Sequence, residues 1–342
     1  MTYHFDLEIT RIFGLGIYWY GAVYTFGFLG VFAWFAWRRA LLGWCLAEVF
    51  DFAILMAGGI LIFGRGFDIL VYELDFYRAT PWQALDWWRG GMASHGVMLG
   101  GVLGTLAFCR WRRKPFLVTA DVLAVPAAFV MGIGRIGNFI EGGVIGSLTT
   151  MPWGMTYPNV EGPRHPVALY DGAKNLLLIP IPILVLRRFP AGRGIATGAF
   201  IFLYAALRFF VDQFRDYEGG WLGIGQGQYF NLVMAAIGLA ILAWSWRWNP
   251  ITPRARPAVI EHPVGWPRVA VFAFLCLYPL GIPTSWTRVN IEEKREQPPV
   301  ALRAPAGFLD RAQAAVRSEA LHTGAEDASA PLGGPGIRED EL

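Results

Sequence analysis

The chain has 342 residues, of which 55% are hydrophobic and only 16% charged, and its mean hydropathy is +0.40. Soluble domains carry about 25% charged residues, so this composition argues against a soluble enzyme, and the aromatic content of 15% excludes an intrinsically disordered chain. The formal net charge of +3 is too small, and the basic residues are too scattered, to indicate nucleic-acid binding. The composition therefore predicts an integral membrane protein.

Seven apolar stretches are candidates for membrane spans, because a hydrocarbon core of about 30 Å requires about 20 apolar residues in a helix. They are residues 16–37, 49–72, 96–110, 117–133, 173–188, 195–214 and 229–248. They are apolar on all sides, whereas the helices of a soluble bundle would show polar stripes at helical spacing. We therefore expect an all-α integral membrane protein with seven core spans. The third span is short and rich in glycine, and Pro180 and Pro182 predict a kink in the fifth.

Basic residues follow alternate predicted spans. They are Arg38 and Arg39, residues 110–114, Arg187, Arg188 and Arg193, and Arg247, Arg254 and Arg256. Under the positive-inside rule these positions are cytoplasmic, which places the N-terminus outside and the end of the seventh span inside. An Arg-Arg pair, not a small-residue cleavage site, follows the first span, so we interpret it as a retained helix rather than a signal peptide.

The composition changes after residue 248, so we separate a transmembrane domain, 1–248, from a C-terminal extension, 249–342. The apolar stretch 269–282 is consistent with either a short eighth span or an interfacial helix. Residues 287–342 are charged and rich in Pro, Ala and Gly, which predicts a mostly extended tail with one helix around 306–321. The cysteines Cys45, Cys109 and Cys276 have no metal-ligand spacing, and we expect them in the core or facing lipid.

Several costly polar residues fall at one depth of the membrane, in the outer half of the predicted spans or just beyond their outer ends. They are Tyr20, Arg65, His95, Arg135, Asn138, Arg208 and Asp212. An arginine at the centre of a membrane helix costs about 2.5–3.5 kcal/mol, so such residues usually have a function or a partner. Together the group indicates a site for an anion, most simply a lipid phosphate, because guanidinium groups bind phosphate through paired hydrogen bonds.

Each of these residues also has an ordinary structural explanation. Arg208 and Asp212 are four residues apart and can pair on their own helix. His95 can cap or pack at a helix start, and Arg65 can extend to the lipid headgroups. Tyr20 fits an aromatic belt at the membrane interface. Only the combination favours an anion site over these alternatives.

A glycine-rich run at 132–146 lies between the fourth and fifth predicted spans. We expect it to be an outer, periplasmic loop in which Arg135 and Asn138 stand beyond the end of the fourth helix. Glycines at this density let backbone approach a ligand closely and expose amide donors to an anion. Small residues for helix packing would explain some of the glycines, but not the arginine and asparagine among them.

These residues are similar to the motifs of the prolipoprotein diacylglyceryl transferase family, and GRIGNF at 134–139 resembles its signature. The other similar segments follow in family order: YWYG at 18–21, Gly64-Arg65, GGMASHG at 90–96, Arg164-His165-Pro166 with Leu169-Tyr170, Arg208 to Asp212 with Arg215, and Gly227-Gln228. The resemblance covers about residues 16–248 and agrees with seven spans and an outer N-terminus.

The resemblance implies an enzyme of the bacterial inner membrane that moves the diacylglyceryl group of phosphatidylglycerol to the lipobox cysteine of prolipoproteins. Its partners would be phosphatidylglycerol, prolipoprotein signal peptides and membrane lipids, and it implies no metal or organic cofactor. The implied catalytic residues are His95 as a candidate base, and Arg135 and Arg208 as ligands of the phosphate. The implied substrate-binding residues are Tyr20, Arg65, Gly134, Asn138, Glu141, Arg164 and Asp212.

The sequence departs from the family pattern at several positions. Gly143 stands where the family usually has a carboxylate, although Glu141 lies two residues earlier. Asp171 and Asp212 replace glutamates, and Val97 replaces a glycine. The departures leave a rival hypothesis open, a non-catalytic membrane subunit or lipid-binding scaffold whose C-terminal tail binds a partner protein. A transporter of an anionic solute is a further rival, which the absence of a visible internal repeat disfavours.

Overall fold

The protein is a bundle of α-helices that carries two small hairpins. The computed structural model describes residues 2, 5–6, 8–13, 15–72, 74–79, 81–85, 92–142, 144–157, 160–215, 226–248 and 259–281. Within these ranges the helices are α1 Trp19–Leu42, α2 Leu46–Phe67, α3 Leu74–Ala79, α4 Ser94–Trp111, α5 Phe116–Glu141, α6 Val167–Leu178, α7 Pro180–Arg188, α8 Ile195–Val211, α9 Gln226–Trp248 and α10 Trp266–Leu277. The strands are β1 Glu8–Ile12, β2 Leu15–Tyr18, β3 Met155–Thr156 and β4 Pro163–Arg164. The predicted tail, 287–342, lies outside the described residues.

Each predicted span corresponds to helix in the structure over most of its length. Six helical stretches are long and apolar enough to cross a membrane: Trp19–Leu42, Leu46–Val71, Phe116–Glu141, Val167–Arg188, Ile195–Phe214 and Gly227–Arg247. The third predicted span corresponds to the shorter apolar helix Gly96–Trp111. The fold class is therefore confirmed as an all-α, multi-pass membrane protein.

The structure corrects the prediction of a glycine-rich outer loop. Helix α5 continues through Glu141, so Gly134, Arg135 and Asn138 are helical rather than part of a loop. The helix ends where Gly142 adopts a left-handed conformation with φ +68°, which glycine tolerates without a steric cost. Glycine disfavours helices in water, but in a membrane the backbone must satisfy its hydrogen bonds internally, and glycine is common in membrane helices.

The start of the first predicted span is also corrected. Residues 15–18 are not helical but form β2, which pairs with β1 in antiparallel register with Arg11 opposite Gly16. Helix α1 therefore begins at Trp19. In the fifth span the helix begins at Val167, earlier than the predicted residue 173, and it is interrupted at Ile179 before Pro180. The break is where the kink was predicted, because proline lacks the amide donor that continues a helix.

Glycines set the contact between α2 and α4. Gly96, Gly100 and Gly104 recur every four residues and form a smooth stripe on α4. A Cβ atom at Gly100 would lie 2.2 Å from the carbonyl oxygen of Gly59, and one at Gly104 would lie 2.4 Å from that of Leu55. Because lipid tails are as apolar as leucine, membrane helices associate through such close backbone contact rather than through the hydrophobic effect.

A buried carboxylate on α5 holds the start of α8. Asp121 is 1% exposed and accepts hydrogen bonds at 2.9 Å from the backbone N–H groups of Gly192, Gly194 and Thr197. The Thr197 hydroxyl donates a further bond at 2.8 Å. The negative charge of Asp121 lies at the N-terminus of α8, where the free backbone amides and the helix dipole stabilise it. This contact fixes the position of α8 against α5, and both helices contribute arginines to the candidate site.

The glycine stripe gives a first prediction. Gly100→Ala is expected to lower the free energy of unfolding by about 1–3 kcal/mol, because the methyl group would overlap the Gly59 carbonyl. Gly101→Ala is the matched control on the same helix, since a Cβ atom there would meet Ile60 only at 3.8 Å. Thermal unfolding of the purified protein in detergent measures both, and equal stability of the two variants would contradict the close-packing interpretation.

Candidate active site

The centre of the candidate site is a single buried carboxylate, that of Asp171 on α6, which is 0% exposed. Its Oδ2 atom receives Arg135 of α5, whose Nε lies 2.5 Å away, and Arg208 of α8, whose Nη1 is in contact. Its Oδ1 atom lies 3.1 Å from Nζ of Lys174, one turn further along α6. Three cations from three helices therefore share one anion.

A second carboxylate extends this group to α9. Arg208 reaches Asp212 with its Nη2 atom at 3.0 Å, so one guanidinium bridges both carboxylates. The side-chain amide of Asn231 on α9 donates to Oδ2 of Asp212 at 2.7 Å, and Arg215 stands 3.8 Å from Oδ1. We call Arg135, Asp171, Lys174, Arg208 and Asp212 the buried charge network.

The sequence left open that Arg208 and Asp212 pair only with each other, on one helix, and bind no ligand. The structure shows that pair, but it also places Arg208 against Asp171, on a different helix. Arg208 is 7% exposed, so neither carboxylate contact is a surface ion pair. The arginine is held between two helical segments, and its position is determined by the tertiary structure.

The sequence interpretation missed Lys174. This lysine is 8% exposed, its Nζ donates to the Asn175 side chain at 2.8 Å, and it lies 3.9 Å from the centre of the Tyr204 ring. A signal was present, because Asp171 and Lys174 are two charges three residues apart at the start of an apolar stretch. Charges at this spacing lie on one helix face.

One face of α5 presents the predicted binding residues beside the network. Gly134, Asn138 and Glu141 follow at helical spacing and so share a face. Among the described residues nothing lies within 4 Å of a Cβ atom built at Gly134, so space is open next to Arg135. On the adjoining side Gly137 packs on Tyr20, whose ring carbon is 3.4 Å from its Cβ position.

A second part of the predicted set lies where α2 ends and α4 begins. The backbone N–H of Ala93 donates to the carbonyl of Gly64 at 3.0 Å, which joins the two helix ends. Arg65 is 3% exposed, with Nη1 3.9 Å from Asp68 and its guanidinium 5.2 Å from the Tyr77 ring. His95 belongs to the first turn of α4, and its side chain lies outside the described residues.

Arg164 lies on the small hairpin of β3 and β4. It donates to the carbonyl oxygens of Glu161 at 3.0 Å and Gly146 at 3.5 Å, so it ties the hairpin together. Next to it, His165 Nδ1 lies 3.1 Å from the Tyr170 hydroxyl, and the Trp153 indole N–H donates to the same hydroxyl at 2.6 Å. These side chains therefore form a polar and aromatic cluster around Tyr170, the residue that precedes Asp171.

The chemistry of the network suits an anion rather than a metal. Its cations outnumber its carboxylates, and both carboxylates already contact guanidinium groups. Among the residues that the structure describes, no group of three His, Cys, Asp or Glu side chains is arranged to hold a metal ion. Cys45, Cys109 and Cys276 are buried and unpaired.

Comparison with known proteins assigns the family. The family model of prolipoprotein diacylglyceryl transferase matches residues 8–244. The chain belongs to this family. It is 36% identical over 258 residues to the phosphatidylglycerol–prolipoprotein diacylglyceryl transferase of Methylibium petroleiphilum, which covers 71% of this chain and 97% of that protein. The enzymes of the same name from Nitrosomonas europaea and Legionella pneumophila are 34% and 33% identical, over 72% of this chain and 91% and 98% of their own lengths.

Two of the departures from the family pattern contact an arginine of the buried charge network. Asp171 and Asp212 are one methylene shorter than glutamate, yet both reach Arg208. Gly143 lies outside the described residues. Glu141 stands in the last turn of α5, within electrostatic range of Tyr20 and Tyr24.

The shared carboxylate gives a second prediction. Asp171→Asn is expected to lower the free energy of unfolding by about 3–5 kcal/mol, because two buried cations and the partly exposed Arg135 lose their common anion. Combining it with Lys174→Met should recover part of this loss, since one of the uncompensated cations is then removed. A double-mutant cycle of unfolding in detergent measures the coupling. Strictly additive effects of the two changes would contradict the network.

Proposed function

We propose that this protein transfers the diacylglyceryl group of phosphatidylglycerol to the lipobox cysteine thiol of prolipoproteins. Two relatives in its family, which it matches over 97% and 91% of their own lengths, are named for this activity. The observation that carries the proposal is the convergence of Arg135 and Arg208 from two helices on Asp171. A pair of arginines held next to each other inside a membrane protein is suited to a lipid phosphate.

The electrostatics of the network favour binding of a phosphate. Because cations outnumber carboxylates in a buried group, an added anion lowers the unbalanced charge. The side chain of Arg135 is 22% exposed and that of Arg208 only 9%, so Arg135 is the more accessible to a ligand. The open space beside Gly134 on the same helix gives a ligand room to approach it. Asn138 and Tyr20 are assigned to hydrogen-bonding support.

The reaction needs stabilisation of its leaving group above all. The cysteine sulfur forms a bond to the glycerol CH₂ carbon of the diacylglyceryl group, and the bond from that carbon to the phosphate oxygen breaks. The products are a thioether and glycerol phosphate, whose phosphate carries one more negative charge than it did in the lipid. Fixed guanidinium groups stabilise this developing charge. The thiol proton is assigned to His95.

The remaining assignments follow from the same proposal. We place the N-terminus outside and the protein in the bacterial inner membrane, with prolipoprotein signal peptides and membrane lipids as its other partners. Arg65 and Arg164 are assigned to substrate binding, together with Glu141 and Asp212. The partner protein predicted for the C-terminal tail stays a prediction, since the tail lies outside the described residues.

The first functional prediction concerns Arg135. With labelled phosphatidylglycerol and a lipobox peptide, the purified full-length protein should form a thioether product, and a peptide with Cys→Ser should give none. Arg135→Gln should lower the rate by about 10²–10³, the cost of removing one donor to a developing negative charge. Arg187→Gln, an exposed arginine at the end of α7, is the matched control and should leave the rate unchanged.

Two outcomes of this assay would count against the proposal. An unchanged rate in Arg135→Gln would remove the phosphate-binding role. The absence of product from a folded protein that still binds phosphatidylglycerol would favour the divergent, non-catalytic relative.

The second functional prediction concerns the base. His95→Ala should lower the rate about 10²–10⁴-fold near pH 7. The difference in rate between His95→Ala and the unsubstituted protein should shrink as the pH rises past about 8.5. This is the ordinary pKa of a cysteine thiol, and above it the thiolate of the peptide forms without a base. Rate profiles from pH 6 to about 9.5 measure this, with His262→Ala, an exposed histidine, as control. A deficit that stays constant with pH would assign His95 a role other than proton removal.

A further inference from the structure

The residues after the seventh core span return along the first helix. We call residues 259–281 the C-terminal segment, which comprises α10 and the short 3-10 turn Tyr278–Gly281. Its first part pairs Glu261 with Arg39, near the end of α1. Its last part brings the carbonyl of Pro279 to within 2.0 Å of a Cβ atom built at Gly21, near the start of α1.

The contacts between these two ends show that the C-terminal segment runs antiparallel to α1. The ring of Phe272 lies 4.8 Å from that of Phe32, and the Thr25 hydroxyl donates to the carbonyl of Cys276 at 2.5 Å. As the residue number rises along the segment, it falls along α1. The segment is therefore continuously paired with α1 rather than touching it at one point.

The length of this pairing matches the thickness of a membrane. Residues 21 to 39 of α1 are helical, and 18 steps of about 1.5 Å make about 27 Å. The hydrocarbon core of a bilayer is about 30 Å thick. Helix α10 alone is too short to cover this distance, but the residues before it and the 3-10 turn after it complete the path along α1.

The surface of α10 also differs from that of an interfacial helix. An interfacial helix has a charged or polar face that lies toward water. Residues 269–281 contain no charged side chain. Phe272 and Cys276 are buried against α1 and α2, while the opposite side exposes the apolar residues Val271, Phe274 and Leu277. Both sides of α10 are thus apolar, as expected for a helix between protein and lipid.

Charged side chains lie at the start of the C-terminal segment. Arg268, just before the apolar stretch, donates from Nε to Asp51 near the start of α2 at 2.8 Å, and Asp51 also binds Arg112 after α4. The segment therefore begins at the end of the bundle that carries the basic loops. Its other end packs against β2, in the N-terminal hairpin.

We propose that residues 261–281 form an eighth membrane span, antiparallel to α1, and that the chain leaves Gly281 on the side of the membrane where the N-terminus lies. This span lies beyond residues 8–244, which match the family model, so it is an addition to the family domain. With the outer N-terminus proposed above, residues 282–342 follow on the side of the transferase site.

Cysteine labelling in the full-length protein tests the span. Thr2→Cys, His262→Cys and Ser329→Cys are made one at a time, and spheroplasts are treated with a membrane-impermeant maleimide before or after permeabilisation. The native cysteines are buried, and the unsubstituted protein measures their background. We expect Thr2→Cys and Ser329→Cys to be labelled in intact spheroplasts, and His262→Cys to gain at least tenfold more label after permeabilisation.

The outcomes separate this proposal from the proposed orientation and activity. Labelling of His262→Cys and Ser329→Cys from the same side overturns the eighth span, whatever the side. Labelling of Ser329→Cys and Thr2→Cys from opposite sides overturns it as well. If only His262→Cys reacts in intact spheroplasts, the eighth span stands and the outer N-terminus is wrong. The transfer assay is independent of all three results.

Discussion

One buried carboxylate, that of Asp171, is the constraint on which the candidate site depends. Two arginines and a lysine inside a membrane protein would repel each other and resist desolvation without a shared anion. Asp171 supplies it and joins α5, α6 and α8 through Arg135, Lys174 and Arg208. Because Arg208 also binds Asp212, which accepts a hydrogen bond from Asn231, the same ion pairs reach α9. The same ion pairs therefore form the candidate site and hold the helices around it together.

The opposite half of the bundle is held by a different interaction. Helices α2 and α4 meet through glycines that let their backbones touch, and Gly137 similarly admits Tyr20 of α1 to α5. Close backbone contact replaces the hydrophobic effect, which cannot draw helices together in lipid. The two halves meet along α5, which carries Gly137 on one side and Arg135 on another. A substrate phosphate at Arg135 would thus lie between the buried charge network and the part of the bundle in which glycines bring helix backbones into contact.

Sequence reasoning singled out part of the candidate site for a clear physical reason. Arg135, Arg208 and Asp212 stand out because charges are costly in apolar stretches. Their partner Asp171 was noted only as a departure from a family motif, and Lys174 was not noted at all. Asp171 precedes the predicted span 173–188 and Lys174 is its second residue, and a charge at the end of a span costs less than one at its centre. The prediction of an outer loop at 132–146 was wrong for residues 132–141, which are helical. The preference of glycine for turns in water does not apply to membrane helices.

The sequence by itself determined the all-helical membrane class, the approximate spans, the break at Pro180 and the family, because each depends on local composition or on short motifs. Only the tertiary structure decided which charges share a partner and where residues 259–281 lie. Arg208 meets Asp171 across 37 positions, and Thr25 meets Cys276 across 251. No periodicity in the sequence encodes such pairs, since they arise when helices that are each stable in lipid select the neighbours that satisfy their polar atoms and fit their surfaces.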